Sequence, residues 1–237
     1  MNELTKTPRQ LGYRMPAEWE PHEATWLAWP HNPEDWPGKF ASIPWLYVEI
    51  VRLLAACERV HMIVENAAME KRVASMLKRD GADLDQVSFH RWPTDRGWTR
   101  DSGPIFVRNA KGQVAITNWR FNAWAKYDDW HLDDKLPGRV TKLLGCPHWQ
   151  PAAQNQNGMK HPVVLEGGSI DVNGKGVLLT TEECMLSEVQ QRNPGLSRAQ
   201  LERVFQDFLG IYQVIWLGRG IAGDDTHGHG DDIARFA

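Results

Sequence analysis

Two histidines and two acids crowd into six positions, His227-Gly-His229-Gly-Asp231-Asp232, directly after a polar, glycine-containing stretch. On an extended segment, residues two apart point to the same side, so His229 and Asp231 would face one site. Imidazole titrates nearest neutral pH and is the commonest proton-transfer group, which makes His229 a candidate acid/base beside an anion. The same run admits a second chemistry, with His227, His229 and Asp231 as ligands of a metal ion such as zinc.

Two further acids sit at junctions between loops and strands. Asp101 lies in Trp98-Thr-Arg-Asp-Ser-Gly-Pro104, and Glu166 lies in Leu165-Glu-Gly-Gly-Ser169. The glycines after Glu166 allow close backbone approach and unusual torsions. Each acid is followed four positions later by isoleucine, Ile105 or Ile170, and then by a glycine-bearing turn, Asn109–Gly112 or Asn173–Gly176. Both units read as β-hairpins. The terminal run fits the same frame, with His229 four residues before Ile233. Repeated units that each carry one functional side chain at the same end predict pseudo-symmetry around a shared centre.

The elements that must position these groups alternate between strand and helix. Strands are expected at Ala24–Trp29, Val60–Val64, Val87–His90 and Tyr212–Leu217. One helix is predicted from Pro44 to about Cys57, with Leu46, Ile50, Leu53 and Leu54 as its buried face and Cys57 in the core. A second is capped by Asn66 and buries Met69, Val73 and Leu77; others cover Asp133–Leu144 and Ser197–Leu209, the last opened by a Ser197/Gln200 capping box. Cys146–Pro162 reads as a long loop. The class is α/β, in one domain spanning residues 1–237.

Composition narrows the partners. The 237 residues carry a net charge of -3 and no basic stripe, which argues against nucleic acid. No apolar run reaches transmembrane length, the N-terminus lacks a signal-peptide core, and three cysteines form no disulfide framework. A cytoplasmic protein is expected. The twelve tryptophans fall mostly beside turns, as packing or as flat walls for a planar cation.

Taken together, these segments resemble the agmatine deiminase and bacterial-type peptidylarginine deiminase family. The resemblance rests on Trp98–Pro104, Leu165–Ser169, Leu179-Thr-Thr-Glu-Glu-Cys184 and Asp224–Asp232, with Met15–Glu23 and Trp26–Pro30 as its entry segment. It implies the pentein fold, a five-bladed α/β propeller, incomplete here because the closing C-terminal blade is missing. It implies a hydrolase acting on the C–N bonds of linear amidines, converting agmatine to N-carbamoylputrescine and ammonia in polyamine metabolism. Asp101 and Asp231 would bind the guanidinium, Glu166 would support the catalytic His229, and Trp98 would line the substrate channel. No cofactor or metal is implied, and a homo-oligomer stays open. The family's nucleophilic cysteine lies well beyond the His-x-Asp pair, and none of Cys57, Cys146 and Cys184 matches it. The chain alone is therefore expected to be inactive. Gly230 departs from the aliphatic residue more usual between that His and Asp.

The chemistry is coherent on its own terms. A guanidinium is planar and permanently charged, so two carboxylates fix its plane by charge-assisted hydrogen bonds. Its central carbon is a poor electrophile and calls for a thiolate, which the bound cation stabilises. Three alternatives stay open: deimination of arginine in peptides, a His/Asp metallohydrolase (Thr226–Asp232 comes within one residue of the metallo-β-lactamase-type motif), and a non-catalytic guanidine or polyamine binder.

Overall fold

The computed structural model describes residues 6–154 and 158–237. They form two compact units. One holds the chain up to Glu20 with Arg100–Asp128 and Asp134–Ala237; the other holds Pro21–Thr99 and Asp129–Asp133. The first opens with the short strand β1 (Tyr13–Arg14).

The second unit is a parallel sheet of β2 (Ala24–Ala28), β3 (Arg59–Val64) and β4 (Val87–Arg91), joined through helices α1 (Ile43–Ala55) and α2 (Ala67–Arg79). Asn66 Oδ1 accepts from the amides of Ala68 and Met69, satisfying two of the orphan donors that open α2. The core is built from Val60, Met62 and Val64 of β3, Val48, Val51 and Ala55 of α1, and Met69, Val73 and Leu77 of α2. The expected α1 face is wrong by part of a turn. Leu46 and Leu53 are each 54% exposed, while Val48 and Val51 are buried. Apolar residues surround this helix, so periodicity offers two faces, and the smaller β-branched side chains pack on the sheet. Cys57 lies beyond the end of α1 and is exposed, not core.

A helical turn, α3 (Thr99–Ser102), which belongs to the first unit from Arg100 onward, leads there into the hairpin β5 (Ile105–Asn109) and β6 (Val114–Thr117). Helix α4 (Leu136–Leu144) then returns the chain to β7 (His148–Trp149), parallel to β6, while β1 pairs with β5. Cys146–Pro162 is not one long loop: besides β7 it contains β8 (Ala152–Gln154) and β9 (Lys160–Pro162), an antiparallel pair. The second hairpin, β10 (Ile170–Val172) and β11 (Val177–Thr181), is followed by α5 (Glu182–Leu186) and α6 (Arg198–Leu209), then by β12 (Gln213–Leu217) parallel to β11. The capping box at Ser197 and Gln200 is present, and Gly210 ends α6 in a left-handed conformation.

The repeat is visible in detail. Asn109 Oδ1 accepts from the amides of Lys111 and Gln113; Asn173 Oδ1 accepts from those of Lys175 and Val177. Each hairpin is followed by a helix and a strand parallel to its second strand. Ile105 and Ile170, together with Val107, Val172, Leu178, Phe205 and Leu209, share one apolar core. The third frame differs: residues 229–237 form turns and no strand, and Ile233 is 39% exposed.

Candidate functional site

Asp101 sits in α3, immediately before the first hairpin, and is 7% exposed. Its Oδ1 accepts from the Gly168 amide at 3.0 Å and its Oδ2 from Trp124 Nε1 at 3.1 Å. Trp124 is held there by a left-handed turn, Ala123–Ala125, with φ values of 47°, 59° and 52°. Burial pushes the Asp101 carboxyl above its ordinary range, helped by the charges of Glu166 and Asp231; His229 and the Gly168 amide oppose the shift.

Glu166 occupies the matching place before the second hairpin, at the start of the 3-10 turn Gly167–Ser169. Its side chain is fully buried, and Oε1 accepts from Arg192 Nε at 3.1 Å. Burial pushes this carboxyl up, but Arg192 and His229 outweigh it and hold Glu166 below its ordinary value. It is a buried anion by construction.

His229 is placed by the loop before it. Asp224 Oδ2 accepts from the Thr226 hydroxyl, the Gly228 amide at 3.0 Å and the His229 amide at 3.4 Å. His227 adopts φ 59°, and its Nε2 turns to Ser187 Oγ at 3.2 Å. The Thr181 hydroxyl donates to the Gly228 carbonyl at 2.5 Å. The imidazole of His229 is 3% exposed. Its Nδ1 lies 3.8 Å from Asp101 Oδ1 and 3.8 Å from Asp231 Oδ1, and its Nε2 lies 3.7 Å from Glu166 Oε2. Burial alone would lower its pKa, but Asp101, Glu166 and Asp231 raise it. Ringed by three carboxylates, this histidine keeps its proton more readily than a free one.

Asp231 completes the ring. Its amide donates to the Gly168 carbonyl at 3.3 Å, and its Oδ2 lies 3.5 Å from Arg100 Nε. The Gly168 residue thus ties Asp101 through its amide and Asp231 through its carbonyl. A Cβ at 168 would stand 2.5 Å from His229 Nδ1 and 2.6 Å from Asp101 Oδ1, so only glycine fits. A Cβ at Gly230 would meet nothing closer than 3.5 Å. The glycine found there is not required by space.

The structure therefore brings Asp101, Glu166, His229 and Asp231 together. Trp98 belongs to the other unit, where its ring lies 5.1 Å from that of Trp36. His227 does not join His229 and Asp231 in a ligand set. Among the described residues, the one group of three or more potential ligands is Glu166, Cys184 and His229. Cys184 is buried and its thiol is pushed far up, first by burial and then by the charge of Glu166. Burial also raises the thiol of Cys146.

A family model described as Porphyromonas-type peptidyl-arginine deiminase matches residues 14–237. The chain belongs to this family. It is 38% identical, over its full length, to agmatine deiminases of Ectopseudomonas mendocina and Pseudomonas syringae pv. syringae, and covers 61% of each. Among solved structures, the agmatine deiminase of Enterococcus faecalis aligns with a TM-score of 0.85 at 31% identity, over 99% of this chain and 61% of that one. An agmatine deiminase of C. jejuni with substrate bound aligns with a TM-score of 0.77 at 29% identity, over 94% of this chain and 62% of that one. The fold is the pentein α/β fold of those enzymes, and this chain spans about three-fifths of their length.

Three residues of the site escaped sequence reading. Arg192, Trp124 and Asp224 act through partners 26, 23 and 5 positions away. Asp224 left a trace as the first residue of the terminal polar motif, Trp124 left one as a member of the tryptophan set read as packing or as flat walls, and Arg192 left none. No helix among the described residues is long and apolar enough to cross a membrane.

Proposed function

We propose that this chain supplies the guanidinium-binding and proton-transfer groups of an agmatine deiminase, a hydrolase of C–N bonds in linear amidines. The observation that carries the reading is the placement of His229 Nδ1 at 3.8 Å from both Asp101 Oδ1 and Asp231 Oδ1, with Glu166 behind Nε2. Two carboxylates flanking one imidazole nitrogen suit a planar cation that must be gripped at its edge and protonated at one N.

The reaction consumes water: agmatine and water give N-carbamoylputrescine and ammonium. Asp101 and Asp231 hold the guanidinium. A thiolate adds to its central carbon and His229 gives its proton to the departing ammonia. The same imidazole then takes a proton from the water that adds to this carbon, and the C–S bond breaks, releasing the ureido product and restoring the thiolate. Glu166, kept ionised by Arg192, holds the imidazolium in place. In this reading the thiolate comes from a cysteine outside the 237 residues. The high thiol pKa values of Cys146 and Cys184 suit neither for attack. Trp98 as a wall of the substrate channel is proposed on its motif alone.

Agmatine is favoured over arginine in peptides by the relatives, which are named agmatine deiminases. The test is an assay of this chain for ammonia and N-carbamoylputrescine, with calorimetry of agmatine binding. Saturable binding without turnover is expected. Robust turnover by these 237 residues would overturn the placing of the nucleophile, and turnover of peptidyl-arginine but not agmatine would overturn the substrate.

A further inference from the structure

Glu166 Oε2 and His229 Nε2 are both buried, and neither has a hydrogen-bond partner. They face each other across 3.7 Å, too far for a hydrogen bond. Cys184 is buried as well, and its Sγ groups with the same two residues. One ligand atom from each of the three residues falls within 4.8 Å of the others. A carboxylate, an imidazole and a thiol are a good donor set for a soft divalent cation. Two donors each 2.0–2.2 Å from one tetrahedral zinc stand about 3.4 Å apart, close to the gap between Oε2 and Nε2.

We propose that Glu166 Oε2, His229 Nε2 and Cys184 Sγ form a binding site for a zinc-class divalent cation. Arg192 occupies only the other oxygen of Glu166, which leaves Oε2 available. The Thr181 hydroxyl accepts from the Cys184 amide and donates to the Gly228 carbonyl, so one side chain fixes the approach of both the cysteine and the histidine loop. Binding exchanges protons for metal: the thiol loses one, Nε2 of the imidazolium loses another, and one M2+ takes their place. The site is orthogonal to substrate grip, since the carboxylates of Asp101 and Asp231 face Nδ1. A cation on Nε2 would stop His229 from cycling as acid and base, so the ion is an inhibitor. This consequence rests on the deiminase reading, whereas binding does not.

The test uses Co2+ and Zn2+ on the 237-residue chain carrying Cys57→Ser and Cys146→Ser, which removes the other two thiols. One Co2+ per chain is expected, with a sulfur-to-cobalt charge-transfer band in the near ultraviolet, displaced by Zn2+. Adding Cys184→Ser should abolish the band and weaken Zn2+ binding at least tenfold, with the far-ultraviolet circular dichroism unchanged. A band that persists in that variant, or never forms in its parent, overturns the site. X-ray absorption on the zinc-loaded unmutated chain gives an independent readout: one sulfur with nitrogen and oxygen neighbours supports the site, and a sulfur-free shell refutes it. Metal binding without any agmatine binding would leave the site standing and count against the deiminase reading alone.

Discussion

The amide of Gly168 donates to Asp101 Oδ1 at 3.0 Å, and no side chain could be added at that glycine without striking Asp101 and His229. Two segments 67 positions apart are thereby locked at the one point where a cation would be gripped. The Glu-Gly-Gly motif is in this sense a steric requirement of the site as much as a source of its glutamate.

Gly168→Ala and Gly230→Ala should accordingly act in opposite directions. The first drives a methyl to within 2.6 Å of two site atoms and should cost about 1–3 kcal/mol of stability by overpacking. The second has room, and its backbone is not left-handed, so it should be neutral or stabilise by about 0.4–1 kcal/mol through the unfolded state. Urea midpoints of the two variants check this; equal destabilisation would contradict it.

Arg192 and Glu166 make a fully buried ion pair. Replacing Arg192 with Met leaves the buried carboxylate to the more distant His229 and should destabilise the chain by roughly 3–5 kcal/mol. Pairing it with Glu166→Gln should recover much of that loss, since no unpaired charge then remains. A double variant as unstable as the sum of the two singles would argue that Arg192 acts through packing, not charge.

Trp124 donates its indole N–H to Asp101 at 3.1 Å. Trp124→Phe keeps most of the apolar contact and deletes the donor, leaving a buried carboxylate short of one hydrogen bond, worth about 1.5–3 kcal/mol for a charged acceptor. Agmatine affinity should fall with it, and calorimetry on a variant shown to be folded is the measurement. Unchanged affinity would mean that the indole only fills space.

The pH dependence has a definite sign. The folded pKa of His229 is raised from 6.5, so its contribution to stability is complete below that value and is lost as pH rises through the folded value. Glu166 is lowered from 4.5, so its contribution is present above 4.5 and is lost as pH falls through its folded value. The destabilisation caused by His229→Gln should therefore be larger at about pH 6 than at about pH 9 in urea titrations. The reverse order would mean that burial, and not the carboxylate ring, governs this imidazole.

What the sequence revealed followed the reach of the physics involved. Hairpins, caps and turns are local, so the paired Asn109 and Asn173 turns and the Asn66 and Ser197 caps were readable from a few neighbouring residues. Asp101, Glu166, His229 and Asp231, which the fold brings together, were reachable because each sits at the same end of a repeated unit or in the His-x-Asp pair. Arg192 gave no signal, because its role depends on a partner that only the fold supplies. The strands β7 and β8 are two and three residues long, too short for a period of two to show. Helix α1 misled because apolar residues surround it, and burial chose Val48 and Val51 over Leu46 and Leu53.

In the proposed reaction Asp101 and Asp231 clamp a guanidinium in front of His229. Calorimetric titration of agmatine into the 237-residue chain and its Asp101→Asn and Asp231→Asn variants tests it most directly. Saturable binding of one agmatine per chain, weakened in each variant by at least about tenfold, or 1.4 kcal/mol, is the predicted result. Binding of equal strength to all three proteins, or agmatine bound no better than a simple alkylamine, would contradict it.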